Sequence, residues 1–178
     1  SIKSRMLALR TEFMPVISKG NHLMDVYFWN DFFPDKQINN EDRLDVPVVI
    51  MAGGKGTRLS PITNIIPKAL IPIGDKPIVQ IIMDRFHELG VTQFLMSVNY
   101  KHEMIEFYFN GLKGNKYSVE YFQEDKPLGT AGSMHLLKSK IDKTFFVSNC
   151  DIIIKQDYRE VYKYHKSHKN DLTIVAAL

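Results

Sequence analysis

The chain has one cysteine, Cys150, in 178 residues, so it has no internal disulfide. That usage fits a reducing compartment, and the protein is expected to be cytoplasmic. Its apolar runs fall far short of the roughly 18–20 residues that span a bilayer, and no membrane association is expected. The chain does not open with a charged-then-apolar targeting segment. There is no basic run or stripe, and the net charge is only +3, so nucleic acid is not expected as a partner. The six histidines show no metal-ligand spacing, and no repeat or low-complexity stretch is visible. With 44% hydrophobic and 24% charged residues, disorder is not favoured either. What remains is a folded domain, or one domain with an added piece.

From Val46 onward, strand-length apolar runs alternate with helix-period segments. This alternation predicts an α/β fold: a Rossmann-like three-layer α/β/α sandwich with a mostly parallel sheet. Strands are predicted at Val48–Ala52, Phe94–Val98, Ser118–Phe122, Thr144–Ser148 and Leu172–Leu178. Helices are predicted from Ile78 to Leu89, His102 to Phe109, Thr130 to Leu137 and around Tyr158–His165. Gly90 stands where a helix C-cap glycine belongs. A natural domain rarely stops inside an apolar strand, so the domain is expected to be truncated at Leu178. Residues 1–45 form a separate piece: a short helical pattern, strand Met14–Ile17, a Lys19-Gly-Asn21 turn and Leu23–Phe33. That is too little to bury a core of its own, and it invites pairing with a neighbour or a second copy.

The segment Met51-Ala-Gly-Gly-Lys-Gly-Thr-Arg58 follows the first predicted strand, and Pro67-Lys68 comes ten residues after Arg58. Gly53, Gly54 and Gly56 let backbone N–H groups turn toward an anion. Glycine-rich turns between strand and helix are common, and this one matches neither the Walker loop nor G-x-G-x-x-G. Arg58 and Lys68 strengthen the case. A guanidinium can hold two phosphate oxygens, and an ammonium can act as a compact charge at the reacting phosphorus. Asp151 follows a predicted strand at the end where ligands of open α/β sheets bind, and a carboxylate there suits a hard cation. Taken alone it would be a turn residue as often as a ligand. Cys150 beside it reads as a small buried filler. Glu124 to Gly132 reads as a strand exit, a loop and a helix start; by itself this is a capped turn with Thr130 as N-cap.

Five segments in order, Ala52–Pro61, Pro67–Pro72, Gly74–Pro77, Pro127–Gly132 and Asn149–Asp151, resemble the sugar-1-phosphate nucleotidylyltransferase family over about residues 46–178. The resemblance implies that a sugar 1-phosphate oxygen attacks the α-phosphorus of a nucleoside triphosphate, giving a nucleotide sugar and pyrophosphate. It implies that Ala52, Gly53, Gly54, Gly56 and Thr57 cradle the phosphates. Arg58 would hold the leaving pyrophosphate, Lys68 would neutralise the reacting phosphates, and Asp151 would bind Mg²⁺. Glu124, Gly129 and Thr130 would frame the base and the sugar-binding rim. The Leu-Gly-Thr-Ala-Gly version is most similar to the mannose-1-phosphate guanylyltransferase branch, which implies GTP; thymidylyl and uridylyl branches share most of the pattern.

Where the family usually has small-residue-Gly-Asp, this chain has Asn149-Cys-Asp151, putting a side chain beside the metal or sugar side. The family places a second metal-binding aspartate and a sugar-phosphate lysine further downstream. The 178-residue chain is therefore expected to bind nucleotide poorly and to be inactive alone. Residues 14–33 resemble the closing strand–turn–strand of a CBS motif, with Asp31 at a ribose-holding position. Phe28 and Asp25 stand where those sensors have Ser or Thr and glycine, so adenosine binding is not implied. Bacterial members with such N-terminal motifs imply a role in surface-glycan precursor synthesis. The competing reading is a non-catalytic nucleotide-sensing or regulatory subunit of the same fold. A dinucleotide-dependent oxidoreductase does not fit, because the glycine spacing is wrong.

Overall fold

The protein is described by a computed structural model, which describes residues 2–9, 11, 13–32, 43–112, 114, 116–124 and 129–176. It contains two compact units, Ser1–Gln37 and Ile38–Leu178.

The first unit has helix α1 (Ile2–Leu9), strands β1 (Phe13–Ile17) and β2 (Leu23–Phe28), and the helical turn α2 (Trp29–Phe32). The two strands pair antiparallel from Phe13↔Phe28 to Ile17↔Leu23, with a bulge at Val16/Ile17. Asn21 carries the left-handed backbone of the turn (φ 58°), a conformation asparagine tolerates. The predicted run Leu23–Phe33 stops being a strand at Phe28, because the Asp31 carboxylate accepts from the Phe28 N–H at 2.7 Å and starts a helical turn. Phe33 lies outside the described residues.

The second unit is built on a four-stranded sheet of β3 (Val48–Met51), β6 (Gln93–Val98), β7 (Ser118–Gln123) and β8 (Phe146–Asn149). All three pairings are parallel, in the spatial order β7-β6-β3-β8. Numbered along the chain, that order is 3-2-1-4, the first half of a Rossmann sheet plus the first strand of the second half. Every residue of β3 is buried, as a central strand covered on both faces requires.

Successive β3 side chains alternate between two cores. Val48 and Ile50 join the cluster with Val79, Ile82 and Phe86 of α3 (Ile78–His87), Ile105 and Phe109 of α4 (His102–Gly111), and Tyr158 of α6 (Tyr158–Ser167). Val49 and Met51 join Leu95, Phe122 and Leu137 on the other face. Phe86 stacks on Tyr158 with ring centroids 3.9 Å apart and also meets Phe94 and Phe146, tying α3 to β6, β8 and α6. Among the described residues, no helix is long and apolar enough to cross a membrane.

A small antiparallel pair, β4 (Pro72–Ile73) and β5 (Lys76–Pro77), turns at Gly74-Asp75, and Lys76 Nζ meets Asp84 of α3 at 2.9 Å. The Gly90 N–H donates to His87 O where the cap glycine was predicted.

Three elements differ from their predicted form. The strand predicted at Thr144 begins at Phe146, because its ladder with β3 starts at Val48↔Phe146 and the Phe145 side chain packs into the second core instead. The helix predicted from Thr130 to Leu137 is a four-residue turn, α5 (Gly129–Gly132), followed by a 3-10 stretch, Ser133–Leu137; the glycines are poor helix formers. Residues 172–176 of the predicted strand Leu172–Leu178 are not strand, since a β-branched run becomes one only when it finds a ladder. Its last two residues lie outside the described ones.

Helix α6 is anchored by a designed start. Asp157 Oδ1 accepts from the Arg159 N–H at 2.9 Å, and the Arg159 guanidinium grips the same carboxylate. Those hydrogen bonds hold the Asp157 pKa below its ordinary value. The stabilisation is therefore fully present above the unfolded pKa of about 4 and lost as pH falls through the lower folded value. Asp157→Ala is expected to cost about 1 kcal/mol at pH 7. In urea unfolding, that gap should shrink as pH drops below about 4. A gap that does not change with pH would contradict the cap.

Candidate functional site

The carboxyl ends of the four strands lie level: Met51 faces Ser97 on one side and Asn149 on the other, and Val98 faces Gln123. The chain order reverses between β3 and β8, and the crevice beyond such a switch point is where open α/β sheets bind ligands. The loops leaving β3 and β8 carry the glycines and Asp151.

Ala52 is buried and donates its N–H to Ser97 O at 2.9 Å, which fixes where the glycine loop starts. A Cβ at Gly53 would come within 3.0 Å of Glu124 Oε1, so a side chain there would have to push the buried carboxylate back by a few tenths of an ångström. Gly54 has open space around it. Gly56 turns the chain with φ +65°, and a Cβ there would meet Thr63 Cγ2 at 2.9 Å and Lys68 Cβ at 3.0 Å. The buried Thr63 donates its hydroxyl to Gly56 O at 3.0 Å, closing the loop from behind. Thr57 and Arg58 open an exposed 3-10 turn, Thr57–Leu59. Arg58 has no ion-pair partner among the described residues. The Ser60–Pro61 bond that follows is cis.

Lys68 begins another 3-10 turn, Lys68–Leu70, and its ammonium pairs with the Asp151 carboxylate. Both side chains are about 30% exposed, so the pair is screened and can exchange its partners. The segment after Asp151 is held by Arg85, whose guanidinium donates to Ile154 O at 2.5 Å.

Glu124 sits behind Gly53, only 6% exposed, and its carboxylate accepts from the buried Ser97 hydroxyl. The Glu124 carbonyl accepts from Asn99 Nδ2 at 2.6 Å. Gly129 (φ +77°) and Thr130 lie in α5; the preceding Pro127 and Leu128 of the same motif lie outside the described residues. Ser133, just after α5, is fully buried and reaches Met51 Sδ at 3.9 Å. The structure thus brings Ala52, Gly53 and Glu124 together, and Gly56, Lys68 and Asp151 together.

The side chain expected beside the metal or sugar lies elsewhere. Cys150 is 5% exposed within the core cluster that also holds Ile50 and Ala69, and burial raises its pKa to about 11. It is a core residue, not a lining residue. Thr63, Ser97, Asn99 and the Tyr100-Lys101 pair went unremarked in the sequence. The only available signal was that Ser97, Asn99, Tyr100 and Lys101 are polar or aromatic residues at a strand's carboxyl end.

Asp151 is the carboxylate open to a metal ion here. Among the described residues, no group of three or more His, Cys, Asp or Glu side chains is placed to hold one. One partly exposed carboxylate fits a hard ion that keeps waters and takes substrate phosphate oxygens, the habit of Mg²⁺, and does not fit a protein cage.

Residues 47–178 match the nucleotidyl transferase family. The chain is 37% identical over 134 residues to a probable mannose-1-phosphate guanylyltransferase 1 of Oryza sativa subsp. japonica, covering 71% of this chain and 37% of that protein. It is 35% identical over 130 residues to the D-glycero-alpha-D-manno-heptose 1-phosphate guanylyltransferase of Aneurinibacillus thermoaerophilus, covering 71% and 55%. The crystal structure of HddC from Yersinia pseudotuberculosis complexed with GMP-PN superposes with a TM-score of 0.61 at 30% identity, covering 67% of this chain and 54% of that one. The chain therefore spans about a third to just over half the length of these curated relatives.

The burial of Cys150 predicts that the native protein resists alkylation at pH 8 and that the thiol reacts at once in urea. Stoichiometric labelling of the folded protein within minutes would contradict that placement.

Proposed function

Because the chain belongs to the nucleotidyl transferase family, we propose that it carries the triphosphate-binding half of a site that transfers a nucleotidyl group to a sugar 1-phosphate. The observation that supports this best is the Lys68–Asp151 pair beside the glycine loop, at the switch point of the sheet. Residues 83 positions apart in sequence meet where a polyphosphate and its metal ion would sit.

In the proposed reaction, an oxygen of the sugar 1-phosphate forms a bond to the α-phosphorus. The bond from that phosphorus to the bridging oxygen breaks, and its electron pair leaves with pyrophosphate. The backbone of Ala52–Thr57 holds the phosphates at the end of β3. Arg58, exposed and without an ion-pair partner among the described residues, meets the departing pyrophosphate as its charge grows. Lys68 shifts from Asp151 to the reacting phosphate oxygens. Mg²⁺ bound at Asp151 would neutralise phosphate charge and fix its geometry. Glu124 supports the loop from behind Gly53, and Gly129–Thr130 lie toward the base and sugar rim.

GTP is the proposed donor: two of the relatives named above are guanylyltransferases, and the third was crystallised with GMP-PN. A hexose or heptose 1-phosphate is the proposed acceptor on the same ground, for glycan precursors. A likeness of residues 14–33 to the end of a CBS motif stays a proposal, supported by the antiparallel pairing of Phe13–Ile17 with Leu23–Phe28.

A thermal-shift panel with Mg²⁺ should rank GTP above UTP, TTP, CTP and ATP. Arg58→Ala and Lys68→Ala should each weaken GTP binding about tenfold by calorimetry, the loss of one charge-assisted phosphate contact. With a hexose 1-phosphate present, any pyrophosphate release should fall about 100-fold in either variant. Unchanged GTP affinity in either one would overturn these roles. In a longer chain that carries the rest of the site, binding that never yields pyrophosphate would favour a nucleotide-sensing subunit.

A further inference from the structure

The segment bearing Arg58 is thinly supported. Between Thr57 and Ile66 only Thr63 is buried, Ile62 is 52% exposed and Ile65 is 72% exposed. Its backbone bonds are those of short 3-10 turns, such as Asn64 N–H to Pro61 O and Ile65 N–H to Ile62 O. A stretch with so few apolar contacts opens easily unless something else holds it.

Lys101 supplies that hold. It follows β6 and precedes α4, and its ammonium donates to Asn64 O at 2.6 Å and to Ile65 O at 2.7 Å. These are carbonyls at the end of the 3-10 turn Ile62–Asn64, where a cation satisfies groups the turn leaves unpaired. Next to it, the Tyr100 hydroxyl donates a longer bond, 3.4 Å, to Thr63 O. Lys101 does this from a left-handed backbone (φ 53°, ψ 38°) that a lysine adopts at a cost. An asparagine or glycine would cap α4 there without that penalty, but neither could reach the two carbonyls.

We infer that Lys101 is a positioning residue for the triphosphate site: it pins the Asn64–Ile65 end of the Arg58 segment to the carboxyl end of β6, so that the guanidinium meets the phosphates already placed. This rests on the role proposed for Arg58. Lys101 itself touches no phosphate in this account; it raises the fraction of time the segment is competent. If losing the tether leaves the segment competent a tenth of the time, apparent affinity falls by about the same factor.

The test uses Lys101→Gly and Lys101→Asn, which relieve the backbone and remove the cation, and Lys101→Arg, which keeps one. In hydrogen–deuterium exchange without nucleotide, amides of residues 57–66 should exchange about tenfold faster or more in the Gly and Asn variants. The Arg variant should stay near wild type. The urea midpoint should not fall in Lys101→Gly, while its affinity for GTP with Mg²⁺ should fall about tenfold.

Unchanged exchange in both the Gly and Asn variants overturns the tether. Faster exchange with a matching loss of global stability reduces Lys101 to a structural residue and also overturns the inference. Faster exchange with wild-type GTP affinity, while Arg58→Ala binds weakly, overturns the link to the site. If Arg58→Ala itself binds GTP normally, the role of Arg58 fails, and the exchange result still decides whether Lys101 holds the segment.

Discussion

The parallel pairing of β3 with β6 on one side and β8 on the other is the constraint on which the rest depends. Four residues, Val48–Met51, are buried on both faces and share ladders with both neighbours. That pairing sets the ends of three strands level, so the loop after β3 and the turn after β8 emerge side by side. A one-residue slip of β8 would exchange its two faces and move Asp151 along the strand. The Lys68–Asp151 pair therefore follows from strand register, and the short 3-10 turn that carries Lys68 brings the cation to the carboxylate.

Around that register the site is assembled from close approaches. Gly53 lies against the buried Glu124 carboxylate, and Gly56 lies against Thr63 and the stem of Lys68. Gly56 is required by its positive φ and the collision a Cβ would make, and Gly53 leaves little room for one, while Gly54 has open space around it. Negative charge is kept behind the loop, at Glu124, and beside it, at Asp151. Arg58, without an ion-pair partner among the described residues, stands on an exposed turn. In the proposed reading, a polyphosphate meets the glycine loop's backbone and the cations Arg58 and Lys68 first, as anion binding requires.

Much of this was legible in the sequence because it depends on local patterns. The all-apolar Val48–Met51 run reads as a doubly covered strand, and Ile78, Ile82, Phe86 and Leu89 recur at helical spacing, with Ile82 and Phe86 fully buried and Ile78 and Leu89 packed against the same core. The glycines and the aspartate of the candidate site could be picked out because they follow strands β3 and β8, and Arg58 and Lys68 because they are cations close behind the glycines. What depends on tertiary contact was not legible. Glu124 reads as a residue at a rim, yet it is buried behind Gly53, because Ser97 on the next strand offers it a hydroxyl. Lys101 gives no more signal than its place after a strand: nothing local announces a lysine in a left-handed conformation reaching across to Asn64 and Ile65. The run at 172–176 shows the opposite failure, since its β-branched residues promise a strand that no ladder completes among the described residues.

The central claim is that the loop after β3, with Lys68 beside it, is a triphosphate grip. An NMR titration of the ¹⁵N-labelled chain with GTP and Mg²⁺ tests it most directly, because it maps even weak binding residue by residue. The account predicts that the largest amide shifts fall on Ala52–Thr57, Arg58 and Lys68, and extend to Asp151. Shifts concentrated on the outer faces of α4 or α6, with the glycine loop unmoved, would contradict it.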